Sequence, residues 1–137
     1  MVETSPAPRE RPLSPHLQIY RWTIPMALSI LHRITGMALA AGTLLFAWWL
    51  VAVALGAQAF AQVHAVIVSW PGMLVMVGFT FALIFHFLNG IRHLVWDVGL
   101  GFEVRTARLS GWLVLGLAVI LTGVTWYLAC PLAGGAP

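Results

Sequence analysis

The sequence predicts an all-α membrane protein with three transmembrane helices, because of its composition and its long apolar stretches. Of its 137 residues, 61% are hydrophobic and only 8% are charged, whereas an average soluble domain carries about 25% charged residues. Apolar stretches at about 23–55, 69–97 and 107–130 each exceed the roughly 20 residues that a helix needs to cross a bilayer. They form one transmembrane domain at 22–130 and leave no room for a separate soluble domain.

The first helix follows a polar tail at residues 1–21. Four prolines disfavour a helix in this tail, at Pro6, Pro8, Pro12 and Pro15. Thr23 is a candidate N-cap, and Pro25 suits a first helical turn. The helix is longer than a bilayer requires, and its polar residues fall near its beginning, at Ser29, His32, Arg33 and Thr35. We therefore expect it to tilt or to begin in the membrane interface.

The second and third helices are bounded by prolines, glycines and charges. Residues 56–68 are predicted to be a short uncharged connection, after which Ser69 and Pro71 suit the beginning of the second helix. A polar loop rich in glycine separates the second helix from the third. Pro131 is expected to end the third helix, and residues 131–137 form an uncharged tail.

The arginines predict the orientation of the chain. Three lie in the N-terminal tail, and Arg105 and Arg108 lie in the second loop, whereas the first loop and the C-terminal tail have none. The positive-inside rule then places the N-terminus in the cytoplasm and the C-terminal tail in the periplasm. We attribute the net charge of +3 to these arginines at the membrane surface and do not take it as a sign of affinity for nucleic acid. The absence of Lys and of a transit-peptide composition favours a bacterial inner membrane over a mitochondrial one.

Polar residues at the end of the second helix are the strongest candidate site. His86, Gly90, His93 and Asp97 fall near one helix face, since their offsets are four, seven and eleven. The face offers two imidazoles, a carboxylate, and at Gly90 a notch for a flat cofactor or a close helix. Haem iron in an apolar environment usually takes a histidine imidazole as its axial ligand. The alternative is a histidine that only hydrogen-bonds a neighbouring helix. Arg92 fits either a solvated helix end or a contact with a partner or a haem propionate.

The polar residues of the first helix predict a second part of the same site. Arg33 would cost roughly 2.5–3.5 kcal/mol if it faced lipid at mid-helix, so we expect it to face the bundle and bind an anion such as a propionate. The alternative is an arginine that snorkels to the headgroups. Ser29 lies one turn earlier on the same face, and a hydroxyl beside a guanidinium suits a quinone carbonyl. The alternative for Ser29 is a hydrogen bond to its own helix.

A haem with two histidine ligands needs an imidazole on each side of the ring. His93 shares a helix face with His86, so it cannot reach the opposite side of the same iron, and His64 lies in the first loop. The second ligand is therefore expected from another chain, which predicts a hetero-oligomer. The single Cys130 excludes an intrachain disulfide, a zinc ribbon and a c-type haem attachment.

Two stretches together resemble a known family. Residues 11–17, RPLSPHL, and residues 29–36, SILHRITG, resemble the N-terminal signature of the cytochrome b556 subunit of succinate dehydrogenase. Residues 86–99, HFLNGIRHLVWDVG, resemble its second signature. The order and the spacing of the two signatures also fit, and the chain matches them at every motif position.

The resemblance implies a role for each matching residue. His86 stands at the position of the axial ligand of haem b, and Ser29 and Arg33 stand at positions that line the ubiquinone site. His32 and Arg33 stand near the haem propionates, where His93 is also expected. In this family a small second anchor subunit supplies the other axial histidine and packs with the large one in a helix bundle. The complex also has an iron–sulfur subunit and a flavoprotein subunit, which oxidises succinate.

We therefore expect a subunit that anchors an enzyme complex in the bilayer, binds haem b and helps form the ubiquinone-reduction site. It would pass electrons from the iron–sulfur subunit to quinone, and the absence of flavin and iron–sulfur motifs excludes succinate oxidation by this chain. The alternatives are the anchor of a quinol:fumarate reductase and a structural anchor without haem. A small transporter is disfavoured, because the sequence has no second charged site in mid-membrane and no internal repeat.

Overall fold

The structure is a computed structural model that describes residues 19–134, and the side chains to residue 129. The described residues form four helices and no strand: α1 at Ile24–Leu55, α2 at Ala57–Ile67, α3 at Trp70–Asp97 and α4 at Val104–Gly134. Three of them, α1, α3 and α4, are long and apolar enough to cross a membrane. The predicted all-α architecture with three spans is therefore confirmed. The tail at 1–18 and the last three residues lie outside the described part.

Helix α1 begins and extends as the sequence predicts. Thr23 takes the N-cap position in an extended conformation, and Pro25 lies in the first turn. The Thr23 carbonyl accepts hydrogen bonds from Met26 N and Ala27 N at 3.1 Å, but its side chain makes no cap hydrogen bond. With 32 residues, the helix is about 48 Å long at 1.5 Å per residue. It therefore exceeds the roughly 30 Å of the hydrocarbon core, and its polar first turns can lie in the interface.

The connection at 56–68 is mostly helical, which the sequence analysis did not predict. Gly56, with φ of 104°, ends α1, and an 11-residue helix follows at once. The reason is that residues 57–67 contain neither proline nor glycine, so nothing in their backbone opposes a helix. Val63 anchors α2 by its burial. Ser69 then caps α3 as predicted, because its hydroxyl accepts a hydrogen bond from Gly72 N at 3.3 Å.

The three long helices share a small core and turn most of their apolar side chains outward. Leu28 of α1, Phe85 of α3, and Val114 and Ala118 of α4 form the buried cluster. Around it, large apolar residues are exposed along all three helices. A monomeric soluble protein rarely exposes such continuous apolar surface, whereas lipid tails solvate it. The chain is therefore a multi-pass membrane protein.

Arg92 connects α3 to α4 inside the bundle. Its Nε donates to Ser110 Oγ at 3.0 Å, and its other nitrogens donate to the Ala107 carbonyl at 2.8 Å and to Asn89 Oδ1 at 3.4 Å. The guanidinium carbon also lies 3.9 Å from the centre of the Trp96 ring. Only 7% of Arg92 is exposed, so the expectation of a solvated helix end is wrong. The reason is that α4 packs against the end of α3 and supplies the acceptors.

Helix α4 extends beyond its predicted bounds at both ends. It begins at Val104 and reaches Gly134, whereas the sequence analysis placed it at about 107–130. At its beginning, the Glu103 carbonyl accepts a hydrogen bond from Ala107 N at 2.8 Å, which brings Arg105 into the first turn. At its end, Pro131 lies in the last turn and does not terminate the helix.

Candidate functional site

The polar residues of α1 and α3 meet in one histidine cluster, made of His32, His86 and His93. The rings of His32 and His86 stack with their centres 3.9 Å apart and their planes 9° from parallel. The ring of His93 lies 5.2 Å from that of His32. Both polar groups therefore lie at the same end of the bundle, as the sequence analysis predicted.

The α1 backbone and one hydroxyl hold a single nitrogen of His86. His86 Nδ1 lies 3.2 Å from the His32 carbonyl oxygen and 3.3 Å from Thr35 Oγ1. Thr35 Oγ1 already lies 2.9 Å from the carbonyls of Leu31 and His32, to which its hydroxyl proton is directed. Both atoms near Nδ1 are therefore acceptors, so Nδ1 carries the ring proton. Nε2 of His86 makes no hydrogen bond with the described part of the chain, which leaves its lone pair free.

Two glycines shape the space around His86. A Cβ atom on Gly36 would lie 3.0 Å from Cε1 of His86, so the imidazole rests directly on the backbone of α1 there. A Cβ atom on Gly90 would meet nothing within 4 Å among the described residues. The notch predicted at Gly90 is therefore open to whatever lies beside this face of α3.

Ser29 and Arg33 lie on α1 on either side of His32, and other chains or ligands can reach them. Ser29 is half-buried and Arg33 is exposed. The described residues give neither side chain a hydrogen bond, and Asp97 at the end of α3 is also exposed. The expectation that Arg33 faces the bundle is therefore not met within this chain alone. An anion for its guanidinium would come from outside the described residues.

The residues present fit one side of a b-type haem. His86 presents a half-exposed imidazole whose Nε2 is free, and an open notch follows it on the same helix face. Nδ1 of His32 is buried and has no hydrogen-bond partner in the described part of the chain, so an outside acceptor such as a propionate could reach this ring only at Nε2. The described residues contain no group of three or more metal-ligating side chains.

An apolar cavity of about 590 Å³ lies at the other end of α1. Trp48, Trp49, Phe79 and His64 are among its lining residues. Trp48 follows His32 by sixteen residues, which is about 24 Å along a helix. His64 is thus remote from the histidine cluster, as predicted, although it lies on a helix and not in a loop.

Sequence reasoning missed two features of this site. Thr35 interrupts the apolar pattern of the first helix, but a threonine in a helix usually bonds only its own backbone. Its contact with His86, fifty-one residues further along the chain, depends on how α1 and α3 pack. The second feature is Gly36, whose motif position was visible but whose contact with the imidazole was not.

Known proteins resemble this chain over most of its length. Residues 7–125 match the family described as succinate dehydrogenase/fumarate reductase transmembrane subunit. The succinate dehydrogenase cytochrome b556 subunit of Paracoccus denitrificans is 44% identical over 115 residues, which cover 84% of this chain and 88% of the relative. The subunit of the same name from Rickettsia felis is 38% identical over 117 residues, covering 85% and 91%. The mitochondrial cytochrome b560 subunit of Mus musculus is 41% identical over 115 residues, covering 82% and 68%.

Proposed function

The chain belongs to the family of succinate dehydrogenase/fumarate reductase transmembrane subunits, and from this premise we propose that it binds haem b through His86 and helps form a ubiquinone-reduction site. It would receive electrons from an iron–sulfur subunit and anchor the complex in the inner membrane. The names of the relatives all specify succinate dehydrogenase, which favours quinone reduction over the reverse, fumarate-reducing direction.

The free Nε2 of His86 is the single observation that carries the proposal for haem. The His32 carbonyl and Thr35 accept from Nδ1, so the imidazole is held in the tautomer that binds iron through Nε2. A bound haem supplies one-electron redox chemistry. His32 and His93 lie beside His86 and would donate hydrogen bonds to the haem propionates.

Ser29 and Arg33 support the proposal for the quinone site. They lie one turn apart on α1, and Arg33 is exposed, so a quinone held against other subunits can reach both. The Ser29 hydroxyl would donate to a quinone carbonyl oxygen, and the guanidinium of Arg33 would stabilise the negative charge that develops there on reduction. This role requires the N-terminus to lie in the cytoplasm, on the side where a soluble iron–sulfur subunit docks.

The proposed function requires other subunits as partners. One haem ligand requires a second anchor subunit that contributes another histidine, and succinate chemistry requires the flavoprotein and iron–sulfur subunits. The open notch at the half-buried Gly90 and the exposed Arg33 are surfaces that such partners would cover.

A reduced-minus-oxidised absorption spectrum of the purified complex tests the proposal. We expect a b-type band in the wild type, loss or displacement of the band in His86→Ala, and an unchanged band in the matched control His64→Ala. An unchanged spectrum in His86→Ala would remove the ligand assignment. A wild-type complex without a b-type band would favour the structural anchor without haem.

A further inference from the structure

We infer that Thr35 is a positioning residue for the His86 ligand, and that its hydroxyl lowers the reduction potential of the haem iron. The inference rests on the proposed function, because it concerns the iron that His86 would bind. Thr35 and His86 belong to different motifs on different helices, so the motifs alone do not predict that the two side chains touch.

The geometry gives Thr35 a defined hydrogen-bonding role. Only 4% of Thr35 is exposed, so water does not compete for its hydroxyl. Its proton is directed to the carbonyls of Leu31 and His32, each at 2.9 Å. The oxygen lone pair that remains lies 3.3 Å from His86 Nδ1. Thr35 thus accepts from the ligand ring, and its own orientation is fixed by two backbone carbonyls.

The chemical consequence is a stronger ligand at Nε2. When acceptors draw on the Nδ1 proton, the imidazole gains electron density and becomes a better donor to the metal. A stronger donor stabilises ferric iron more than ferrous iron, so it lowers the reduction potential. The His32 carbonyl makes the same kind of contact at 3.2 Å, so Thr35 supplies one of two acceptors.

Gly36 gives the same ring its position. The imidazole lies so close to the α1 backbone that a Cβ atom on Gly36 would come within 3.0 Å of Cε1. An alanine there would displace the ring by a few tenths of an ångström and lengthen both contacts of Nδ1. Gly36→Ala is therefore a second perturbation of the same hydrogen bonds that leaves the Thr35 hydroxyl in place.

Redox potentiometry and low-temperature electron paramagnetic resonance of the haem in the purified complex test the inference. Changes in the partners of a metal-ligating histidine typically cost 10–100-fold in metal affinity. Because one of two acceptors remains, we expect the low end in Thr35→Val. Assigned wholly to ferric iron, a tenfold loss raises the potential by about 59 mV for one electron, which is the upper bound of the expected shift. Thr35→Ser keeps the hydroxyl and should retain the wild-type potential.

Matched controls separate this effect from general damage. Thr43→Val removes a hydroxyl of the same helix that, within the described part of the chain, bonds only the Ala40 carbonyl, at 2.6 Å, and it should leave the potential unchanged. Gly36→Ala should raise the potential, whereas Gly78→Ala should not, because a Cβ atom on Gly78 meets no described residue within 4 Å. Should Thr35→Val assemble poorly, Thr35→Ala removes the same hydroxyl in a smaller side chain.

The outcomes distinguish this inference from the proposed function. If His86→Ala loses the haem signal while Thr35→Val and Thr35→Ala keep the wild-type potential and resonance, the inference is wrong and the ligand assignment stands. A shift of the same size in Thr43→Val would also overturn it. If His86→Ala keeps the wild-type signal, the proposed function fails and the inference fails with it.

Discussion

Replacing Ser110 by alanine should weaken the contact between α3 and α4, because it removes the acceptor nearest to the Nε of Arg92. That hydrogen bond measures 3.0 Å, and only 7% of Arg92 is exposed. The two remaining acceptors, the Ala107 carbonyl and Asn89 Oδ1, bind the terminal nitrogens and cannot turn to Nε without breaking their own bonds. The variant therefore leaves a buried, charged donor without its partner.

The expected loss of stability is estimated from the hydrogen-bond energies known for soluble proteins and for transmembrane helices. Hydrogen bonds to charged groups contribute about 1.5–3 kcal/mol in soluble proteins. Hydrogen bonds between transmembrane helices average about 0.6 kcal/mol and reach about 1.7, because an unfolded helix in a membrane finds other partners. The charge and the burial of Arg92 place this bond near the upper membrane value. We expect Ser110→Ala to cost about 1.5 kcal/mol, which is roughly a tenfold change in the unfolding equilibrium.

Unfolding of the purified complex in mixed detergent and SDS micelles measures this cost. Thr122→Val is the matched control. Thr122 is a buried residue of the same helix, and its hydroxyl bonds only the Ala118 carbonyl of α4 among the described residues, at 2.7 Å. We expect Thr122→Val to change the unfolding midpoint little. A double-mutant cycle with Arg92→Leu then isolates the pair, because without the guanidinium the Ser110 hydroxyl has no partner on α3.

An equal effect of Ser110→Ala in the wild-type and the Arg92→Leu backgrounds would refute this reasoning. It would mean that Ser110 stabilises α4 by itself, through its own bond to the Ala107 carbonyl at 3.3 Å. An unchanged midpoint in the wild-type background would mean that Arg92 finds another acceptor.

Two further predictions concern the quinone site and the packing of α1 on α3. Ser29→Ala and Arg33→Leu should lower ubiquinone reduction by succinate while reduction of an artificial dye persists; an equal fall of both activities would point to failed assembly. Gly42→Ala should destabilise the bundle by about 1–3 kcal/mol through overpacking, because the Phe79 ring occupies the space of its Cβ atom. Gly116→Ala, where a Cβ atom meets none of the described residues within 4 Å, should not destabilise it, and an equal loss in both variants would contradict the packing reason.

The sequence predicted the three spans and the position of both polar groups at one end of the bundle, because both depend on strong local signals. It did not predict the stacking of His32 on His86. Long apolar stretches identify the spans. The polar residues near the beginning of α1 and those near the end of α3 then lie at a similar depth in the membrane, because the two helices run in opposite directions. The sequence did not reveal the burial of Arg92, because its acceptors on α4 are a carbonyl and one serine, which no motif distinguishes. The helix α2 was missed because its polar residues suggested a connection, although residues 57–67 contain no proline or glycine to oppose a helix.

The exposure of the two arginines near the histidine cluster fits the proposal that other chains complete the site. Arg92, the arginine of α3, donates three hydrogen bonds to acceptors of this chain and is only 7% exposed, so little of it is accessible to a ligand. Arg33 is the opposite case, since it is exposed in a helix that crosses the membrane. His32, its neighbour in the sequence, belongs to the histidine cluster, so a partner that covers the cluster would also cover Arg33. We expect Arg33 to become buried when the complex assembles, and Arg92 to keep the partners it has.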